Sequence, residues 1–158
     1  MNATQTTNCR MRPHHPDNAI DILLVEDNPG DVRLTREAFK ESRGTNSLNV
    51  VEDGAEALAF LNHQGKYNNA PTPDLILLDL NLPKKDGREV LEEIKNDKAL
   101  RRIPVVVLTT SSAAEDVFNM YQRHANCYIK KPIDFEDFVN VITAIDNFWL
   151  TMVKLPSK

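Results

Sequence analysis

Short apolar runs alternate with amphipathic segments along most of the chain, and this alternation limits the fold more than any other feature. The runs are Ile22-Leu23-Leu24-Val25, Leu48-Asn49-Val50-Val51, Leu75-Ile76-Leu77-Leu78, Val105-Val106-Val107-Leu108 and Cys127-Tyr128-Ile129. Each has the length of a strand, and the third is so continuously hydrophobic that it predicts a strand covered on both faces. Helical patterns lie between them. Asn28 and Pro29 supply an N-cap and a proline for the first helical position, opening a helix that would bury Leu34, Ala38 and Phe39 and end before Gly44. After Asp53 and Gly54, residues Ala57, Leu58 and Leu61 share one face. Val90, Leu91 and Ile94 point inward from the next helix, and Ala114, Val117, Phe118 and Tyr121 from a helix over 113–124. A last helix over 134–149 carries Phe135, Phe138, Val139, Ile142 and Ile145. Residues 63–73 and 81–87 hold turn-forming residues and read as loops.

A strand followed by a helix, repeated along the chain, requires parallel pairing through crossovers, hence an open α/β sheet with helices on both faces. The expected architecture is a flavodoxin-like (βα)5 fold with strand order 2-1-3-4-5. It occupies 19–150, after a polar, aperiodic arm at 1–18 and before a tail at 151–158, with no output domain expected. Composition suits one globular domain, since 41% of the 158 residues are hydrophobic and 27% charged. A net charge of -4 argues against nucleic-acid binding through bulk charge. No apolar run approaches the roughly 20 residues of a membrane span, and the first residues lack the apolar core of a secretory signal. Cys9 and Cys127, the only cysteines, form no disulfide framework, so a reduced, cytoplasmic protein is expected. His14 and His15 could hold a metal, but nothing nearby completes a site.

In open α/β sheets, ligands sit beyond the carboxyl ends of the strands, at the switch point beside the first strand. Glu26 and Asp27 follow strand one, Asp79 closes strand three, Thr109 closes strand four and Lys131 closes strand five. Singly, each has an ordinary reading as a helix-terminus carboxylate, a loop residue, a strand end or plain surface. Together they do not, because three carboxylates at one crevice repel one another unless something positive offsets them. A Mg2+ ion, with its preference for oxygen ligands, and Lys131 would do so. Asp79 could then attack a phosphoryl group, with Lys131 neutralising the phosphoryl oxygens and Thr109 donating to the acyl phosphate. An external donor is needed, since neither a GxxxxGK[ST] loop nor a GxGxxG turn is present.

The combination Glu26-Asp27, Asp79, Thr109 and Lys131-Pro132, at these spacings, resembles the single receiver domain of two-component response regulators, in the manner of chemotaxis regulators. The resemblance covers about 20–149. It implies Asp79 as phosphoacceptor; Glu26, Asp27, Asp79 and the backbone carbonyl of Asn81 as metal ligands; and Thr109, Lys131 and Tyr128 as the catalytic and switch set. It also implies a cis bond between Lys131 and Pro132. Departures are Glu26 where many members carry Asp, Lys85 where Met is frequent, and a longer loop before strand three. That loop, the 81–87 segment and the residues from Tyr128 to Phe138 resemble the regulators paired with cyanobacterial phytochromes. The implied partner is a sensor histidine kinase, of phytochrome type, with the signal leaving through a changed surface.

Two rival readings come from different classes. An aspartate-nucleophile phosphatase usually carries a second aspartate two residues after the nucleophile, and Asn81 stands there instead. A pseudo-receiver that works by binding alone is opposed by the intact Asp27, Asp79, Thr109 and Lys131. The last helix also bears a second apolar set, Val141, Ala144 and Phe148, offset from its core face. This set is either a homodimer face or the bed for the C-terminal tail.

Overall fold

The computed structural model describes residues 19–41 and 45–156, so the expected arm at 1–18, with His14, His15 and Cys9, lies outside the described residues. Strands β1 (Ile20–Val25), β2 (Asn46–Val51), β3 (Leu75–Leu78), β4 (Val105–Thr109) and β5 (Cys127–Lys130) form one parallel sheet in the order β2-β1-β3-β4-β5. Helices α1 (Pro29–Lys40), α2 (Gly54–Leu61), α3 (Gly87–Asn96), α4 (Ala114–Gln122) and α5 (Phe135–Ile145) make the connections and the last cover. The fold expected from the alternation is the fold observed.

Side chains of a strand alternate between faces, and the central strands split accordingly. Leu23 and Val25, Ile76 and Leu78, and Val105 and Val107 face α2, α3 and α4 in one cluster with Ala57, Leu61, Leu91, Ile94 and Met120. Ile22 and Leu24, Leu75 and Leu77, and Val106 and Leu108 face α1 and α5, against Phe39, Phe138, Ile142 and Ile145. This is why the runs in β1, β3 and β4 read as unbroken hydrophobicity: both faces are buried.

Side-chain caps start most of the helices. Asn28 accepts from the N–H of Asp31, Asp53 from Glu56, Asp86 from Arg88, and Asp134 from Glu136 and Asp137. Helix α4 alone of the five starts without one, at Ala113. Its expected face is also rotated. Met120 is its buried residue, whereas Phe118 and Tyr121 are 62% and 49% exposed. On the inward side, one turn before Met120, Asp116 receives hydrogen bonds from Arg88 of α3 and from Ser111. Phe135, also expected inside, is exposed at the start of α5. The chain continues past α5 in a π-helical turn, Asp146–Met152, and Pro156 ends in a crevice beside Pro73 and Pro104, below the amino ends of β3 and β4. No helix among the described residues is long and apolar enough to cross a membrane.

Candidate functional site

Parallel pairing brings every strand's carboxyl end to one edge, and the ladder continues a residue beyond the strands there. Glu26 N–H donates to Val51 O at 3.0 Å, Asp79 N–H to Val25 O at 3.1 Å and Lys131 N–H to Thr109 O at 2.7 Å. Asp79 and Lys131 therefore stand just past β3 and β5, one residue later than the expected strand closures, while Thr109 is the last residue of β4. Backbones pinned in this way aim the side chains into one crevice. The loop behind Asp79 depends on Gly87, where an added Cβ would lie 2.2 Å from the Asp79 carbonyl oxygen. No other residue type fits that approach.

The structure brings the expected residues together. Carboxylate oxygens of Glu26, Asp27 and Asp79 lie within 4.8 Å of one another, with Glu26 and Asp79 buried and Asp27 exposed. Lys131, itself buried, donates from Nζ to Glu26 Oε2 at 2.5 Å, Asp31 Oδ2 at 3.0 Å and Asp79 Oδ2 at 3.2 Å. Asn81 lies beside the acceptor position, its N–H 3.3 Å from Asp79 Oδ1. Thr109 is fully buried, and its hydroxyl has no hydrogen-bond partner among the described residues. An orphaned hydroxyl of that kind is costly unless a ligand or a moving group engages it.

The charge balance follows from burial. Desolvation pushes the Glu26 carboxyl up to about 7, against the opposing hydrogen bond from Lys131 and with the Asp79 charge adding to the rise. Burial pulls Lys131 the other way, but its bond to Glu26 and the charges of Glu26 and Asp79 win and hold it above the ordinary lysine range. A hard-oxygen trio with one exposed member suits a small divalent cation that keeps part of its water shell.

Tyr128 is half-buried on β5 and its hydroxyl donates to the Ser111 carbonyl at 2.8 Å. Ser111 in turn donates from Oγ to Asp116 Oδ2 at 2.6 Å, and Asp116 takes Arg88 Nη2 at 3.0 Å. The expected cis bond before Pro132 is not found: no peptide among the described residues is cis, in line with the trans preference of about 0.5–1 kcal/mol at such bonds. Val141, Ala144 and Phe148 do share a surface, a groove with Cys127, Ile129 and Trp149. Phe148 stacks edge-on against Trp149 and remains 50% exposed, because the tail runs toward Pro73 and Pro104 instead of over it.

Sequence reasoning missed three members of this neighbourhood. Asp31 sits on the first turn of α1, where a carboxylate is explained by the helix dipole alone; its place four residues after Asp27, close to the acidic pair, was the available signal. Arg88 and Asp116 are 28 residues apart, and no local pattern pairs them.

The pattern of these residues agrees with what known proteins show. The family description of the response regulator receiver domain matches residues 22–143. The chain is 53% identical over 136 residues to the response regulator Rcp1 of Synechocystis sp., covering 86% of this chain and 92% of that relative. It is similar to the crystal structure of the Mn(2+)-bound form of Rcp1, with a TM-score of 0.86 and 52% identity over 87% of this chain and 99% of the other. It is equally similar to the phosphorylated cyanobacterial phytochrome response regulator RcpA, with a TM-score of 0.86 and 52% identity over 88% of this chain and 99% of the other. The chain belongs to the response regulator receiver domain family.

Proposed function

We propose that this protein is a phytochrome-type response regulator that takes a phosphoryl group from a sensor histidine kinase onto Asp79. The observation that carries the reading is the position of Asp79: buried, bonded to Lys131 at 3.2 Å and clustered with Glu26 and Asp27. An Asp79 carboxylate oxygen attacks phosphorus, the phosphorus–nitrogen bond of the phosphohistidine breaks, and its electron pair returns to the imidazole. Lys131 keeps a donor on the developing phosphoryl charge, and Thr109 turns its unpaired hydroxyl toward it. Glu26, Asp27, Asp79 and the Asn81 carbonyl would hold Mg2+, which supplies positive charge to the phosphoryl oxygens. Attack by water later releases phosphate. With Asn81 where a phosphatase carries its general acid, the protein acts as a phosphoacceptor and not as a turnover enzyme.

The output follows from the same contacts. As Thr109 moves toward the phosphoryl group, it draws the 110–113 loop with it. The bond from Tyr128 to the Ser111 carbonyl then breaks and the ring moves inward. Fully exposed Ile133 and exposed Phe135, just past Lys131, give the kinase an apolar foothold beside the acceptor. The groove bearing Val141, Ala144 and Phe148 is our proposed homodimer face, which sedimentation velocity across a concentration series tests. We place the protein in the cytoplasm, with protein partners and no nucleic acid, in keeping with its net charge of -4.

Intact mass after incubation with acetyl phosphate, with Mg2+ or with EDTA, tests the acceptor. The expected result is one added phosphoryl group that needs Mg2+ and is absent from Asp79→Asn. Lys131→Ala is expected to accept the group while Tyr128 responds less. Equal labelling of wild type and Asp79→Asn would overturn the assignment.

A further inference from the structure

The Lys131 ammonium has three protons, and each meets a different carboxylate: Glu26, Asp79 and Asp31. Two of these carboxylates are needed elsewhere. Glu26 belongs to the clustered trio, and Asp79 is the nucleophile. Asp31 stands outside the trio. It is also well fixed: its N–H is capped by Asn28 Oδ1 at 3.1 Å, and its carbonyl accepts from Thr35 Oγ1 at 2.7 Å. It lies in the first turn of α1, where the helix dipole favours a negative charge. Lys131 arrives from the far side of the sheet on a flexible four-carbon stem. A carboxylate on a fixed backbone thus meets a buried ammonium carried on a long stem.

We propose that Asp31 is a positioning residue for phosphoryl transfer, anchoring Lys131 beside Asp79 when the other two carboxylates turn to metal and phosphorus. This rests on the reading of Asp79 as acceptor. Once an Asp79 oxygen bonds phosphorus, the Lys131 N–H that Asp79 accepted turns its hydrogen bond to a phosphoryl oxygen. With a second N–H still donated to Asp31, the ammonium pivots and stays in place. The Asp31 charge also repels an incoming dianionic phosphoryl group. Positioning and repulsion therefore predict opposite signs for its removal.

The test compares labelling rates by acetyl phosphate with Mg2+ in the full chain for wild type, Asp31→Asn, Lys131→Ala and the double variant. Loss of the anchor is expected to slow labelling about tenfold, the scale of a modest misplacement of a reacting group. In the Lys131→Ala background the same change is expected to do nothing further, because the residue it acts through is gone. Asp31→Glu, which keeps the carboxylate, is expected to recover most of the rate. Labelling of Asp31→Asn at or above the wild-type rate, or equal slowing in both backgrounds, would overturn the proposal. A second readout needs no phosphoryl group: the nitrogen-15 signal of the Lys131 ammonium, slowly exchanging in wild type, is expected to vanish in Asp31→Asn and return in Asp31→Glu. Its persistence in Asp31→Asn would also overturn the proposal. Wild-type protein that keeps this dependence yet takes up no phosphoryl group would overturn the acceptor reading and leave the anchor standing.

Discussion

Helices α3 and α4 are neighbours on one face of the sheet, yet they are held there by different physics. Helix α3 begins at a side-chain cap, Asp86, and buries Val90, Leu91 and Ile94 completely. Helix α4 has no side-chain cap, buries only Met120 and leaves two aromatic rings in solvent. Its starting turn is held by polar contacts instead, running from Arg88 through Asp116 and Ser111 to the hydroxyl of Tyr128. Apolar burial is non-directional and lost only when a helix leaves the core. A short chain of hydrogen bonds can exchange partners at small cost. Burial thus fixes α3, whereas α4 and the loop before it are held by polar contacts that can rearrange.

Substitutions sharpen this contrast. Ile94→Ala removes a fully buried side chain from α3 and is expected to cost about 2–5 kcal/mol in denaturant unfolding. Phe118→Ala, on exposed α4 surface, is expected to stay within about 0.5 kcal/mol. Equal costs would break the comparison.

The carboxylate site beyond the strand ends is expected to respond to pH in a way that follows from Glu26. Its carboxyl is raised to about 7 in the folded state, chiefly by burial, so the folded protein holds a proton that the unfolded chain releases near 4.5. The unfolded state binds fewer protons in that window, and the metal-free protein is expected to lose stability as pH rises from about 4.5 to about 7. Lys131, raised above its ordinary range, stays charged throughout. Glu26→Gln is expected to flatten the profile, as read by unfolding midpoints in EDTA.

Tyr128→Phe removes the bond to the Ser111 carbonyl and is expected to cost about 0.5–1.5 kcal/mol. Arg88→Ala is expected to cost less, about 0.2–1 kcal/mol, since its pair with Asp116 is partly solvated. Both are expected to speed amide exchange at the start of α4; Arg88→Ala also loses the bonds to Asp86, the cap of α3, whereas Tyr128→Phe is expected to leave α3 unchanged. In Tyr128→Phe, exchange that rises equally in both helices would mean that the polar chain holds α3 as well.

What the sequence made legible follows the same divide. The strands, the caps at Asn28 and Asp53, and the inward face of α3 were readable because burial imposes a period on local sequence. The gathering of Glu26, Asp27, Asp79, Thr109 and Lys131 was readable because parallel pairing sends strand ends to one edge. The rotation of α4 was not: apolar residues sit on two of its faces, and the Arg88 to Asp116 contact on the inward side spans 28 residues, beyond any local pattern. Asp31 was hidden by having an adequate local explanation. The exposed Phe135 was misread because helical spacing alone does not show where α5 begins to leave the core.

The most direct test is residue-resolved hydrogen exchange, with and without acetyl phosphate and Mg2+, on wild type and Asp79→Asn. The account predicts altered protection in 110–128, little change in α3, and no response in Asp79→Asn. Protection that changes equally in α3 and α4, or a response that survives Asp79→Asn, would contradict it.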